Sequence, residues 1–599
     1  MRVTWPAFAL LAASTAFGHR SSPLPPHVPV QNSKSIDFNH AVRKSNVSVP
    51  FEVDVPLKPL DGTKSCTVQL FEHIFANSYG TPYVGTYQPP KSGKCGDSSQ
   101  WARVTLELVG KARGRQYDRI AGIWIGGAEV LRTSTPEPTL AGIEWSVTKD
   151  ITSILPLLKA SQEIVMELDN VYNSVYNATL NITVSATFTM ANRQNPPAAG
   201  PQVPDVVLPI SALVSNNNTA GWFTLSSPTA VASVPVTVPS NAYRAVVEVY
   251  ASGHGCDEFW YSNPPNDYVA LAGNSSITLC GGGPYRELQV FVDGQLSGVH
   301  VPFTTVYTGG IIPTLWTPST GIHSFNLPPY YFDITPFVGG LVDGKSHNIS
   351  LAVANSGSYW FIDANLQLWL DDASKQTKGG LTHRSIAPEP TLKIHEKVNN
   401  KTLDAQFDIV SSRKFVVQGW VESSKGRVET TVQGTVEYHN GQTYLNDTNI
   451  STWTQRTSEK IEVTSKTTKV LNNVAESQHH SHPKPVTTTD ASQSTASSQG
   501  RVTFIQFADN SFNITATVDL GISTSINNHS GGKSFRSSLA ETQNGSGYFW
   551  ENGANTETLS SANQKTQLKY KDNAGCDYSR NVNAVAQKVT SDVIHNDCK

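Results

Sequence analysis

The sequence predicts an all-β protein, and three observations support that prediction. Short apolar runs rich in β-branched and aromatic residues recur along the chain, clusters of Gly, Pro, Asn and Ser separate them, and long helical patterns are nearly absent. The 599 residues include 43 glycines and 35 prolines, as many turns require. At roughly 150 residues per domain, this length predicts three or four structural units.

The N-terminal segment has the pattern of a cleaved secretory signal. One arginine precedes an apolar stretch from Val3 to Phe17, and small residues follow it. We therefore expect a signal peptide at 1–18, cleaved near Gly18, and then an N-terminal segment at 19–44. No later run offers the roughly 20 apolar residues that span a bilayer, and the C-terminus lacks the tail of a lipid-anchor signal. These features predict a secreted protein without a membrane anchor, in the extracellular medium or a vacuole.

The first two units have the pattern of β-sandwiches. Runs such as CTVQLFEHIF, ARVTLELVG and QEIVMELDN alternate with turn-forming clusters over 45–192. A proline-rich linker at 193–204 follows, and strand patterns such as YRAVVEVYASG and YWFIDANLQLWLD assign 205–374 to a second sandwich. The segment at 153–162, SILPLLKASQ, invites a helix, but a short turn across one end of a sandwich is the favoured interpretation in a β protein.

The third unit, 375–599, is polar, threonine-rich and also β-rich. Runs such as KFVVQGWVES, RVETTVQGTVEYHN and FNITATVDL alternate with period two, which predicts a long antiparallel meander. The low hydrophobicity of 475–500 predicts a disordered surface loop, and an exposed loop is a plausible nicking site that would leave two associated chains. His479, His480 and His482 in that loop could bind a metal, although a solvated histidine cluster is the favoured interpretation.

Cysteine spacing and sequons agree with secretion. The six cysteines form local pairs at Cys66/Cys95, Cys256/Cys280 and Cys576/Cys598, a spacing that fits three disulfides, although spacing does not prove the pairing. No CxxC or HxxxH accompanies them, so a zinc site is not predicted. The candidate N-glycosylation sites are Asn46, Asn177, Asn181, Asn217, Asn274, Asn348, Asn400, Asn446, Asn449, Asn513, Asn528 and Asn544.

Charge and motifs exclude several function classes. With 45 basic and 48 acidic residues, and charged residues at only 16% of the chain, no electrostatic footprint for nucleic acid or anionic lipid is present. No Gly-x-Ser-x-Gly elbow, phosphate-binding loop, dinucleotide fingerprint or zinc-protease motif occurs. A cysteine nucleophile is not expected if all six cysteines pair.

Asp118 is the first candidate for chemistry. It lies in the string QYDRIAGIWI, where a regular strand over 117–125 would place it on one face with Ile120, Gly122 and Trp124. A carboxylate in this apolar setting must either have a raised pKa or pair with a nearby arginine. The residues alone favour a structural Asp-Arg pair at the end of a strand.

Glu258 is the second candidate. The string GHGCDEFWYSNPP combines a glycine-flanked histidine, two acids, three aromatic residues and a cysteine, and anchored loops of this kind often carry sites. A bridge from Cys256 to Cys280 would fix Glu258, while Trp260 offers a face for a sugar ring. A purely structural role, in which Asp257 and Glu258 do no more than cap a turn, is equally supported. Glu137, Asp169 and Arg286 are weaker candidates of the strand-end or loop type.

Several ordered motifs resemble one known family. FEHIFANSYGTPYVGT (71–86), YDRIAGIWIGG (117–127), RTSTPEPT (132–139), GIEWSVTKDITSILPLL (142–158) and GGPYRELQVFVDG (282–294) resemble the secreted peptide:N-glycanase A family of plants and fungi. The resemblance covers roughly 45–375 and implies hydrolysis of the amide between asparagine and the first N-acetylglucosamine of an N-glycan, which turns the asparagine into aspartate. No metal or cofactor is implied, and the partners would be N-glycosylated peptides or proteins.

A more distant resemblance concerns the site. The first two units resemble the paired eight-stranded jelly rolls of bacterial peptide:N-glycanases, whose site lies between the two domains. A Trp-Asp-Arg string there matches Tyr117, Asp118 and Arg119, and a Gly-Cys-Ala-Glu-Trp string matches 255–259 with Glu258 as its acid. A third acid falls on Asp169, where Asp replaces Glu. By loose resemblance, His254 stands for a histidine upstream of the second acid and Arg286 for a substrate-binding arginine.

The sequence therefore predicts an amidase built on two jelly-roll β-sandwiches side by side, with a C-terminal antiparallel β domain. Asp118, Glu258 and Asp169 are the expected catalytic residues. The expected substrate-binding residues are Tyr117, Arg119, Trp124, Glu137, His254, Trp260 and Arg286. Two alternatives stay open: an endo-β-N-acetylglucosaminidase, because a carboxylate pair also serves glycosidic cleavage, and a non-catalytic glycan-binding sandwich.

Overall fold

The computed structural model describes residues 3–4, 47–91, 93, 95–198, 203–215, 221–273, 275, 277–468, 486–530, 533–552 and 558–598. Nearly all regular structure in these ranges is β, as the sequence predicts. The first strand, β1 (Val3–Thr4), pairs in parallel with β14 (Ile277–Thr278). The rest of the predicted signal peptide, its cleavage position and the histidine cluster of 475–485 lie outside the described residues.

The strands between residues 65 and 190 form two four-stranded antiparallel sheets. They are β2 (Ser65–Phe75), β3 (Tyr83–Tyr87), β4 (Trp101–Ala112), β5 (Ile120–Ile125), β6 (Ala128–Ser134), β7 (Ile143–Asp150), β8 (Gln162–Leu168) and β9 (Leu180–Met190). One sheet has the order β2-β9-β4-β7 and the other β3-β8-β5-β6. Alternate side chains of both sheets, such as Leu106, Ile123, Met166 and Val184, are buried in one shared core. We call these eight strands the first sheet pair.

The strands between residues 206 and 370 form the second sheet pair. They are β10 (Val206–Ile210), β11 (Phe223–Leu225), β12 (Val231–Val236), β13 (Ala242–His254), β15 (Glu287–Val292), β16 (Gln295–His300), β17 (Tyr330–Asp333), β18 (His347–Ala354) and β19 (Tyr359–Leu370). One sheet has the order β10-β19-β13-β17, with β11 also on β19, and the other β12-β18-β15-β16. The long connection from β16 to β17 crosses towards the first sheet pair and carries residues of the site.

The remaining chain forms one 11-stranded antiparallel sheet, the C-terminal sheet. Its strands are β20 (Lys378–Ser385), β21 (Leu392–Val398), β22 (Ala405–Ser423), β23 (Gly426–Leu445), β24 (Ile450–Thr468), β25 (Val486–Gln506), β26 (Phe512–Ser530), β27 (Lys533–Glu551), β28 (Thr558–Asp572), β29 (Asp577–Val585) and β30 (Lys588–Asn596). Strict alternation of buried and exposed residues along β22 and β23 reflects packing of one face only. That face shares a hydrophobic core with the second sheet pair.

The described helices are all short. They are α1 (Leu155–Leu158), α2 (Ala212–Ser215), α3 (Asn266–Leu271) and α4 (Val338–Leu341), with 3₁₀ turns at Ser98–Gln100, Thr152–Ile154, Gly255–Asp257, Trp260–Ser262, Pro313–Trp316 and Thr335–Phe337. The interpretation of 153–162 as a short turn is therefore confirmed. None of the described helices is long and apolar enough to cross a membrane.

Two predictions about local structure are wrong. The sequence assigns 475–500 to a disordered loop, yet residues 486–500 lie in β25, which pairs with β24 and β26 along its length. Threonine-rich strands with few apolar residues form here because both neighbours satisfy the backbone hydrogen bonds. The strand expected over 117–125 begins only at Ile120, since residues 117–119 are held by a loop contact described below.

The three expected disulfides are present. Cys66 bonds to Cys95, Cys256 to Cys280 and Cys576 to Cys598, and no free cysteine occurs in the described ranges. Asn46, Asn217 and Asn274 lie outside the described residues, so their sequons stay predictions. The side chains of the following sequon asparagines are exposed: Asn177, Asn348, Asn400, Asn446 and Asn544. Those of Asn181, Asn449, Asn513 and Asn528 are half-buried, and all nine stay predicted acceptors.

Candidate active site

Asp118 sits where the two sheet pairs meet. It precedes β5, and the chain around it is held against the residues that follow β6: Arg119 N–H donates to Thr135 Oγ1 at 3.0 Å, and Thr135 N–H donates to the Arg119 carbonyl at 2.8 Å. These bonds replace regular strand pairing, and they fix the direction of the Asp118 side chain.

The β16–β17 connection of the second sheet pair closes over Asp118. Thr308 Oγ1 donates to the Thr135 carbonyl at 2.5 Å and lies beside the Asp118 carboxylate, which accepts a hydrogen bond from the Gly309 N–H. A Cβ on Gly309 would stand 2.2 Å from Asp118 Oδ1, so only glycine allows the backbone to approach this closely. The position of the acid therefore depends on both sheet pairs.

Glu137 lies beside Asp118. The same Gly309 Cβ position is 2.8 Å from Glu137 Oε1, and Glu137 accepts a hydrogen bond from the main-chain N–H of Asp118. Burial raises the pKa of both carboxyls, and the Asp118 charge raises the pKa of Glu137 further, well above its ordinary value. Arg119 opposes both shifts, because its positive charge favours the ionised acids.

Glu258 approaches the same acids from the second sheet pair. It follows the 3₁₀ turn at Gly255–Asp257, and its N–H donates to the Gly255 carbonyl at 3.1 Å. Burial, with a smaller contribution from the Asp118 charge, raises the pKa of Glu258 to about 8. Below that pH the free protein holds Glu258 as a neutral acid that can donate a hydrogen bond.

Asp257, not Glu258, anchors this loop. Asp257 is fully buried and pairs with Arg286, Oδ2 at 2.9 Å from Nε and Oδ1 at 2.8 Å from Nη2. Gly357 N–H and Trp360 Nε1–H also donate to Asp257, at 2.9 and 2.6 Å. Together with the Cys256–Cys280 bridge, these bonds leave Glu258 little freedom to move.

A small cavity lies behind Glu258. Its volume is about 20 Å³, and its polar lining includes Glu258, Ser252, Thr305, Tyr307 and Tyr330. A space of this size fits one water molecule. A water here would be close to the Glu258 carboxyl and away from bulk solvent.

Asp169 belongs to the same cluster of charges, though at its edge. It follows β8, accepts a hydrogen bond from Gly80 N–H at 3.1 Å, and interacts electrostatically with Arg119. Burial raises its pKa. The Tyr359 phenol interacts electrostatically with both Asp169 and Glu258, and all three side chains are half-buried. We call the region around these side chains and Asp118 the opening.

Tyr117 and Arg119 also reach this opening. Tyr117 is half-buried, with its ring centroid 5.3 Å from that of Tyr176. Arg119 Nη2 donates to Gln116 Oε1 at 2.6 Å, whereas its buried Nε has no hydrogen-bond partner among the described residues. An unpaired buried donor next to Asp118 suits a substrate acceptor.

His254 lies beneath the site rather than at its surface. The ring stacks at 5.7 Å on Tyr307 and at 5.6 Å on Tyr359, and its Nε2 is 2.8 Å from Ser252 Oγ. Burial and the nearby Arg132 charge lower the pKa of His254 to about 3, so the ring is neutral near pH 7. Its proposed contact with substrate stays a prediction.

Three predicted substrate contacts are wrong in position. Trp124 is fully buried between the sheet pairs, where its Nε1–H donates to Asp363 at 2.6 Å, and Trp260 is buried in the core of the second pair. Neither ring offers a face to a sugar. The Arg286 guanidinium is fully buried against Asp257 and main-chain carbonyls, so it cannot reach a substrate.

Sequence reasoning missed Gly309, Thr308 and Tyr359. The adjacent glycines Gly309 and Gly310 were a signal, since glycine in a loop often marks a close backbone approach. Which side chain approaches them depends on a contact between positions almost 200 residues apart, which one sequence does not reveal. The structure also shows why Arg132 occurs in the RTSTPEPT motif: it forms a buried ionic contact across the two sheet pairs with Glu129 and Asp363.

Comparison with known proteins adds a family. The family described as peptide N-acetyl-beta-D-glucosaminyl asparaginase amidase A matches residues 54–386. A relative from Prunus dulcis named peptide-N4-(N-acetyl-beta-glucosaminyl)asparagine amidase A is 39% identical over 419 residues, which is 68% of this chain and 72% of the relative.

Two solved structures are also similar in part. PNGase F, a glycosylasparaginase from Flavobacterium meningosepticum, shows 13% identity with a TM-score of 0.34 and covers 51% of this chain and 96% of its own. PNGF-II shows 15% identity with a TM-score of 0.34 and covers 51% of this chain and 65% of its own.

Proposed function

The chain belongs to the peptide N-acetyl-beta-D-glucosaminyl asparaginase amidase A family, and on that basis we propose that it hydrolyses the amide between asparagine and the proximal N-acetylglucosamine of N-linked glycans. Water adds its oxygen to the amide carbonyl, the C–N bond breaks, and the glycan leaves as a glycosylamine. The asparagine becomes an aspartate. The substrates are N-glycosylated peptides or proteins.

The observation that supports this function best is the meeting of Asp118 and Glu258. They are about 140 residues apart in the chain and come from different sheet pairs, yet the Asp118 charge contributes to the raised pKa of Glu258, and both side chains are half-buried. Amide hydrolysis requires an activated water, stabilisation of an oxyanion and protonation of the leaving nitrogen. Carboxyl groups with different pKa values can divide these tasks.

Asp118 is the principal catalytic residue in this scheme. Its ionised form accepts a hydrogen bond from the Gly309 N–H and is favoured by Thr308 and Arg119, so it is suited to accept a proton from the attacking water. Glu258 holds a proton below about pH 8 and therefore orients the water or the amide carbonyl by donating a hydrogen bond. The raised pKa of Glu258 argues against its acting as the base.

Arg119 and Asp169 have supporting roles. The unpaired Nε of Arg119 is a donor for a substrate oxygen. Asp169 lies near Tyr359, and these two side chains would contact the first sugar. Tyr117 contributes an apolar edge to the same opening.

Secretion is part of the proposal. Three disulfides fit an oxidising compartment, either extracellular or vacuolar. A cut between Thr468 and Val486 would separate the chain into two pieces, which the pairing of β24 with β25 would keep together. Two bands on a reducing denaturing gel that elute as one species in native chromatography would support this; one intact band would contradict it.

The test of the activity identifies which bond is hydrolysed. A defined N-glycopeptide is incubated with the protein in heavy-oxygen water and analysed by mass spectrometry. We expect one labelled oxygen in a new aspartate, and no label with Asp118→Asn, while the exposed-site control Asp592→Asn retains turnover. A peptide that keeps one N-acetylglucosamine would identify an endoglycosidase. An unchanged peptide that still binds would identify a glycan-binding protein.

A further inference from the structure

Glu137 and Asp118 share one desolvated position. Their Oε1 and Oδ1 atoms lie 2.8 and 2.2 Å from the same point above Gly309, and Glu137 accepts the main-chain N–H of Asp118. Both residues are half-buried at the end of the opening. Two carboxylates this close cannot both be ionised at low cost, as in other paired-acid sites.

The surroundings of the two acids differ. Asp118 accepts a hydrogen bond from the Gly309 N–H, and the adjacent Thr308 hydroxyl and the Arg119 charge both favour its ionised form. Glu137 accepts a hydrogen bond from the Asp118 N–H, and the charges of Arg119 and Arg115 favour its ionised form. Tyr117 and Glu258 are the other titratable groups that face the pair. The negative charge is therefore better solvated by the protein on Asp118 than on Glu137.

We propose that Asp118 and Glu137 form one carboxyl pair that holds a single proton, with the proton on Glu137 and the charge on Asp118. This inference rests on the proposed function and deepens it. Glu137 then acts as a positioning residue: it fixes the Asp118 main chain and, by remaining neutral, leaves Asp118 ionised to take a proton from water. It does not need to contact the substrate, unlike the role that the sequence predicts for it.

A plain structural role makes a different prediction. If Glu137 only accepts the Asp118 N–H, it can do so as a carboxylate, and its titration would not depend on Asp118. If it shares a proton with Asp118, removal of the Asp118 charge must make Glu137 easier to ionise. The coupling between the two titrations separates the two roles.

The experiment is a ¹³C NMR titration of the side-chain carboxyls in the full-length protein. Glu137→Gln assigns the signal, and the half-buried Glu144, which pairs with Lys111 outside the site, is the internal reference. We expect Glu137 in the unmodified protein to titrate with a midpoint well above that of Glu144, and this midpoint to fall by about one pH unit or more in Asp118→Asn. The Glu144 midpoint should be the same in both proteins.

Two results would overturn the inference. One is a Glu137 midpoint close to that of Glu144 in the unmodified protein, which needs no variant to fold. The other is a raised midpoint that does not move in Asp118→Asn. This test is independent of the test of the function. If Asp118→Asn loses turnover but the Glu137 titration is not coupled to Asp118, the amidase proposal stands and only the shared proton is ruled out.

Discussion

Glu258 is a neutral acid over most of the physiological range, because burial raises its pKa to about 8. We expect kcat/KM to fall above about pH 8, where the free enzyme loses this proton. Glu258→Gln can still donate a hydrogen bond but cannot ionise, so its lower activity should be constant across that range. The measurement is kcat/KM against pH, with Glu144→Gln as the control that keeps the fall. A fall that persists in Glu258→Gln would assign it to another group.

Gly309 determines where the Asp118 carboxylate lies. In Gly309→Ala the new methyl group would stand 2.2 Å from Asp118 Oδ1, so the acid or the loop must shift. A displacement of about 1 Å in a catalytic group can lower turnover by about 10²-fold. We expect a loss of that order in kcat with a small change in thermal stability.

Gly441→Ala is the matched control for Gly309→Ala. A Cβ at Gly441 meets nothing within 4 Å, and this strand glycine has ordinary backbone angles. Normal turnover in Gly309→Ala would show that the loop adjusts without moving Asp118, and it would remove the geometric argument for this contact.

At the scale of elements, the loop that carries Glu258 depends on the buried Asp257–Arg286 pair. In Asp257→Asn, Arg286 keeps its charge without an anionic partner, and breaking a buried pair in this way costs about 3–5 kcal/mol. We expect urea unfolding to report a loss of that order. Asp592→Asn removes a more exposed pair with Arg580 and should cost about 0–1 kcal/mol. Equal losses in the two variants would contradict the anchoring role of Asp257.

The elements also show which predictions were accessible from sequence. The all-β class and three disulfides follow from strand patterns and cysteine spacing, which are local signals. The regular strand expected over 117–125 was wrong because Thr135 captures the backbone of Arg119. Residues 486–500 form a strand despite their low hydrophobicity because two long neighbours pair with them.

For the site, the sequence identified the acids but not their relations. Asp118 and Glu258 stood out as carboxyls in apolar settings, and the structure brings them together. Arg286 and Trp260 look like ligand-binding residues by type, but burial makes them structural. Whether an arginine meets a substrate or an aspartate depends on tertiary contacts, so residue type alone could not decide.

At the scale of the whole molecule, buried acids make stability depend on pH. Burial raises the pKa of Glu52 and Glu258 to about 8 and that of Glu167 to about 7, from an ordinary 4.5. Between pH 4.5 and these raised pKa values the folded chain binds more protons than the unfolded chain, so the free energy of unfolding falls as the pH rises. His254 and His323, with pKa lowered to about 3 and about 4, oppose this only up to their ordinary 6.5.

We therefore expect the free energy of unfolding to fall from pH 6.5 to pH 8. Chemical unfolding at intervals of half a pH unit measures it. Glu52→Gln, whose one side-chain oxygen can still accept the main-chain N–H groups of Phe325 and Asn326 but not also that of His323, should reduce the slope. A free energy that rises across this interval would show that the buried acids ionise with little penalty.

The contact of Gly309 with Asp118 joins two parts of the molecule that each have their own core. Catalysis therefore depends on the distance between the two sheet pairs, and not only on whether each pair is folded. On gradual heating, a small separation of the two sheet pairs would abolish activity while the circular dichroism signal of the strands stayed unchanged. If turnover returned promptly on cooling, the loss of activity would come from a reversible separation of the sheet pairs and not from unfolding.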